Sequence, residues 1–144
     1  MKVRYTDTYE YQILQKLEEI PGYAILRSEL EDIGPKRQVN YAIAQLIKKR
    51  NLIKLGSGIY ARLKPSTFRP GEYIMPGPGF IGIIREALTK LGIPWELSKY
   101  EKLYNAGEWT QVPVRPTTII QKRMRRKLRY ADKEFPFEIQ TRPS

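Results

Sequence analysis

Apolar residues recur at helical spacing along the first half of the chain. Tyr9, Ile13, Leu14, Leu17 and Ile20 form one stripe and predict a helix over residues 7–20. Thr6 or Asp7 is its expected N-cap, and Pro21-Gly22 its stop. Residues 23–26 predict a short strand or extended link. Ser28 and Glu31 have the spacing of a capping box, and Leu30 and Ile33 give the short helix they open an apolar side. Gly34 suits a backbone conformation other residues avoid, and Pro35 suits the first position of the next helix. In that helix Val39, Ala42, Ile43, Leu46 and Ile47 make one continuous apolar stripe. Leu52, Ile53, Lys54 and Leu55 then lead through Gly56-Ser57-Gly58 to Ile59, Tyr60, Ala61, Arg62 and Leu63. This predicts a hairpin whose glycines supply the positive φ of a tight turn.

The order helix, strand, helix, turn, helix, hairpin is that of a winged helix-turn-helix. Such a fold puts one helix into a DNA groove and lays the hairpin along the backbone. The expected fold class is therefore α+β: a winged helix-turn-helix over 1–64, a Pro/Gly-rich linker over 65–79 and a small basic α+β domain over 80–144. The linker contains Pro65, Pro70, Pro76 and Pro78, which make it extended and stiff. After it, Ile81, Ile84, Leu88 and Leu91 predict a helix over 80–91, stopped by Gly92 and Pro94. Short strands are expected at 95–98, 117–121, 128–130 and 137–139, with a helical turn at 99–105 and residues 109–113 leading into the 117–121 strand.

Charge changes this picture. The chain has 144 residues, a net charge of +11 and an isoelectric point near 9.9. A surplus this large favours polyanionic partners. It contains neither Cys nor His. That removes disulfides, Cys/His zinc sites, cysteine nucleophiles and histidine-based acid–base catalysis from consideration. No enzyme activity, cofactor or metal is expected. No apolar run reaches the ~20 residues of a membrane span, and the N-terminus lacks a signal-peptide core, so a cytoplasmic protein is expected.

Opposite the apolar stripe of the third helix lie Arg37, Tyr41, Ala44 and Lys48, flanked by Gln38, Asn40 and Gln45. Arg pairs bidentately with guanine, and Asn or Gln with adenine. Lys36 and Arg37 stand in the first helical turn, where the macrodipole disfavours cations, which points to a requirement other than helix stability. Lys54, Ser57 and Arg62 on the hairpin are candidate phosphate contacts. The densest cationic run is 122–129, where Lys122, Arg123, Arg125, Arg126, Lys127 and Arg129 suit salt-sensitive phosphate binding. A solvated loop or a surface docking onto an acidic protein would need the same composition. A formal G-x-G-x-x-G match, Gly77 to Gly82, lacks the buried strand that a dinucleotide fold needs before it.

The segment NYAIAQLIKKRNLIKLGSGIYARL, together with YNAGEWTQVPVRPTT and its Thr110-Gln111-Val112-Pro113 core, resembles the AbiEi-type antitoxins of bacterial type IV toxin–antitoxin systems. The likeness spans roughly residues 28–121. It implies a repressor that binds double-stranded operator DNA and autoregulates its operon, with a cognate nucleotidyltransferase-like toxin as a further partner. The family's DNA contacts carry over to Lys36, Arg37, Gln38, Tyr41, Lys48 and the tip at Gly56 to Gly58. Many family members have a longer C-terminal part than this chain. The second domain is then expected to serve dimerisation, DNA contact or toxin neutralisation. A palindromic operator would require a homodimer, although no heptad pattern is present. The competing expectation is a protein-interaction module that docks an acidic partner without specific DNA binding.

Overall fold

The computed structural model describes residues 8–107, 117–131 and 133–140. It is a mixed α+β structure with five helices and several small sheets among the described residues. The chain runs through helix α1 (Tyr9–Glu19), strand β1 (Ala24–Leu26), a 3-10 helix (Arg27–Ile33) and helix α2 (Lys36–Lys48). Strands β2 (Leu52–Gly56) and β3 (Ile59–Arg62) form a hairpin. β1 adds to β3, giving an antiparallel sheet in the order β1-β3-β2.

Alternation along these strands divides them between two cores. Ile25, Leu52 and Tyr60 face the helices, where Ile13, Leu17, Leu30, Val39, Ile43 and Leu46 bury their side chains. Each fully buried Leu or Ile there contributes about 1.5–3 kcal/mol. Ala24, Leu26, Leu55, Ile59 and Ala61 face the other way, toward helix α3 (Gly79–Lys90). The sheet is thus covered on both sides, which is why all three residues of β1 are apolar and buried.

Several local expectations change. The N-cap of α1 is Thr8, whose Oγ1 accepts the Tyr11 N–H at 3.2 Å; Thr6 and Asp7 lie outside the described residues. The second helix is a 3-10 helix, and the glutamate that caps it is Glu29, accepting the Leu26 N–H at 2.9 Å; Glu31 is exposed. Pro35 is the N-cap of α2, with Lys36 as its first residue. Gly34 has an extended backbone (φ 178°), so no special dihedral requires it. A Cβ there would lie 2.4 Å from the Tyr9 ring, so the glycine allows the ring to pack against the turn.

The 65–79 stretch carries a two-stranded ladder, β4 (Lys64–Pro65) with β5 (Tyr73–Ile74). Arg50 reaches back to it, with its guanidinium 5.6 Å from the Tyr73 ring centroid. Helix α3 follows. Its buried residues are Ile83, Ile84, Ala87 and Leu88, while the expected Ile81 and Leu91 are only partly covered. Beyond it come β6 (Trp95–Leu97), α4 (Lys99–Asn105), β7 (Thr118–Ile120), β8 (Arg129–Tyr130), β9 (Lys133–Glu134) and β10 (Phe137–Ile139). β7 is the middle strand of a second sheet, antiparallel to β6 and parallel to β10. Residues 109–113, expected to lead into the 117–121 strand, lie outside the described residues.

Two ion-pair clusters fasten these parts. The Lys90 ammonium on α3 donates to the Ala24 carbonyl at 2.6 Å and pairs with Glu29 at 3.1 Å. Arg85 donates to both oxygens of Glu101, at 2.8 and 3.2 Å, and through Nε to the buried Thr118 hydroxyl at 2.8 Å. That network holds α4, which buries no residue of its own, against α3. No helix among the described residues is long and apolar enough to cross a membrane.

Candidate nucleic-acid interface

Helix α2 separates its two faces as its periodicity predicts. Val39, Ala42, Ile43 and Leu46 are buried. Lys36, Arg37, Gln38, Asn40, Tyr41, Ala44 and Lys48 are exposed, and Gln45 is half-buried. Tyr41 leaves 66% of its surface open, unusual for so large a ring on a helix that has a core nearby. The first turn has no acidic residue and no side-chain cap, so its free N–H groups lie beside Lys36 and Arg37. Both the helix end and these side chains favour an anion there.

The hairpin tip meets α2 through Arg27, which the sequence reading did not single out. The Arg27 N–H donates to the Gly58 carbonyl at 2.8 Å, and its Nε donates to Asn40 Oδ1 at 2.8 Å. One residue therefore ties the tip to the exposed side of α2, and Asn40 is held by that contact. Arg27 Nη1 is buried without a hydrogen-bond partner among the described residues. Burial pushes the neighbouring Tyr60 phenol above its ordinary pKa, with the Arg27 charge opposing that rise. At the tip, Gly58 has φ +73°, as expected of a turn glycine. Gly56 serves a different purpose. A Cβ there would lie 2.6 Å from Leu128 Cδ2 and 2.9 Å from the Lys127 carbonyl.

The basic run at 122–129 is thereby seated on the hairpin. Leu128 is its anchor, buried in the same core as Leu55 and Ile59. Around this peg Lys122, Arg123, Arg125, Arg126, Lys127 and Arg129 are all exposed. The segment lacks regular structure up to β8, which begins at Arg129. The structure joins three sequence-predicted groups through named contacts: α2 to Arg27, Arg27 to the tip, and the tip to the 122–129 strap.

Pairing separates these cations from most of the others. Lys36, Arg37, Lys48, Lys54 and the six strap cations make no ion pair with a described carboxylate. Arg62 does. It lies at the base of β3 opposite Leu52, and its guanidinium is 3.6 Å from Glu18 on α1. Among the candidate phosphate contacts of the hairpin it is set back: Gly58 is four residues before it, so the strand carries it roughly 13 Å from the tip at about 3.3 Å per residue. Lys54 and Ser57 remain exposed near the tip.

Beside the strap is a cavity of about 310 Å3, lined by strap residues and by Glu134, Phe135 and Phe137. The glycine run at 77–82 has no buried parallel strand before it, since Tyr73 and Ile74 are exposed and pair antiparallel with β4. Its Gly77 makes room for the Tyr23 ring, 2.6 Å from where a Cβ would stand. Among the described residues no group of three or more acidic side chains is arranged to hold a metal. Comparison with protein-family models, with curated proteins and with solved structures gives no match.

Proposed function

We propose that residues 8–63 form a winged helix-turn-helix and that the protein is a sequence-specific DNA-binding repressor. The observation that carries this reading is the connected run of cations over α2, the hairpin tip and the strap that make no ion pair with a described carboxylate, built around an exposed helix face of base-reading type. The element order and the β1-β3-β2 sheet also support it, because they set a hairpin beside the helix that follows the turn. In this reading Arg37, Gln38, Tyr41 and Lys48 enter the major groove, and Asn40 is oriented there by Arg27. Lys36, Lys54, Ser57 and the strap cations hold phosphates, which fix register without reading sequence. The antitoxin role, autoregulation of a type IV operon and pairing with a nucleotidyltransferase-like toxin rest on the AbiEi resemblance of residues 28–121.

The test is binding to the DNA immediately upstream of the gene against scrambled DNA of equal length, at low and high salt. A preference that survives high salt, and that Arg37→Ala weakens by about 1–3 kcal/mol on the cognate site alone, supports base reading. Equal, salt-labile binding to both DNAs would sink it and favour docking of an acidic protein partner.

A further inference from the structure

The cavity beside the strap differs in kind from the rest of the basic surface. Its volume, about 310 Å3, lies at the small end of the roughly 300–1,000 Å3 typical of small-molecule sites. Its lining includes the apolar and aromatic side chains of Met124, Leu128, Phe135 and Phe137. These rings are fixed. Phe137 stacks on Phe135 with centroids 6.1 Å apart and planes at 21°, and Phe135 meets Phe80 edge-on at 6.3 Å and 85°. Phe135 is buried while Phe137 is only half-covered, so of the two lining rings Phe137 is the more accessible. The same lining carries Arg125, Arg126, Lys127 and Arg129, none of them in an ion pair with a described carboxylate.

A duplex backbone needs only the cations, and an apolar ligand only the rings. A ligand that uses both has a flat aromatic part and an anionic part. Bases stack on aromatic side chains whatever their identity, and guanidinium groups hold phosphate bidentately. We propose that this cavity binds a mononucleotide, its base against Phe137 and Met124 and its phosphate on Arg125, Arg126 and Lys127. Glu134, the carboxylate in the lining, is an acceptor for a base amino group or a ribose hydroxyl. The site stands apart from the DNA-reading face, and its assay contains no DNA, so either reading can fail alone. Occupancy would put a phosphate on cations the strap offers to DNA, so nucleotide and DNA would compete.

Isothermal titration of the full chain with AMP, GMP, CMP and UMP separately, and with inorganic phosphate and adenosine, tests this. The expected result is one-to-one binding of at least one nucleotide, about tenfold or more tighter than phosphate or adenosine. Phe137→Leu, which keeps an apolar side chain but removes the ring, and the exposed-site double variant Arg125→Ala/Arg126→Ala should each weaken it by about tenfold. Far-ultraviolet circular dichroism checks that both variants fold. The proposal is overturned if no nucleotide binds more tightly than inorganic phosphate, or if folded Phe137→Leu retains full affinity.

Discussion

Two sets of cations divide the molecule. On α1, α3, α4 and the hairpin base, Lys16, Arg85, Lys90, Lys102 and Arg62 each face a carboxylate, at distances from 2.8 Å for Arg85–Glu101 to 3.6 Å for Arg62–Glu18. On the outer face of α2, at the tip and along the strap, the cations make no ion pair with a described carboxylate, although Glu134 stands opposite Arg129 across the β8–β9 ladder. The first set is internal bracing. The second leaves positive potential open to solvent, where it attracts anions and would make binding salt-dependent. Net charge alone does not say where the open cations lie: 26 Lys and Arg against 15 Asp and Glu leave a surplus of 11 wherever they are placed.

Substitutions should move the two sets on different measurements. The largest effect belongs to the braced set. Arg85→Ala leaves the half-buried Glu101 and the buried Thr118 hydroxyl without their donor. Urea unfolding should show a loss of about 2–4 kcal/mol, with DNA affinity of the folded fraction unchanged. Next comes the open set. Arg125→Ala/Arg126→Ala should leave stability within about 0.5 kcal/mol. Its signature is a slope of log K for DNA against log salt shallower by about two; an unaltered slope would remove the strap from the proposed DNA interface. The smallest effect is expected at Arg62, whose pair with Glu18 is solvent-exposed. Arg62→Ala should cost about 0.5 kcal/mol or less of stability and leave the salt slope as it was. A shallower slope would transfer Arg62 from the braced set to the open one.

Local pattern made much of this visible. The α2 stripe, the glycine-tipped hairpin, the α3 helix and most short strands follow from spacing and turn chemistry, and so does the exposed face of α2. What spacing does not contain is contact between distant segments. Gly56 reads as a turn glycine, yet its need is set by Leu128 far along the chain. Gly34 likewise answers to Tyr9 rather than to its own dihedral. Ser28 and Glu31 match a capping box, but the chain enters the helix earlier, so Glu29 takes the role and also meets Lys90. The junction residue Arg27 had no signal of its own, because its importance comes from Gly58 and Asn40 lying on either side. The Ala24-Ile25-Leu26 run did carry a legible clue: a strand with no polar position belongs to a sheet covered on both faces.

That covered sheet bears on how the sequence can change over generations. Successive residues of β1 and β3 answer to different cores, so drift there is constrained from two directions at once. Arg37, Gln38, Tyr41, Ala44 and Lys48 belong to neither core. Mutation can rewrite that face with little consequence for folding, so a lineage could acquire a new binding target while inheriting the scaffold intact.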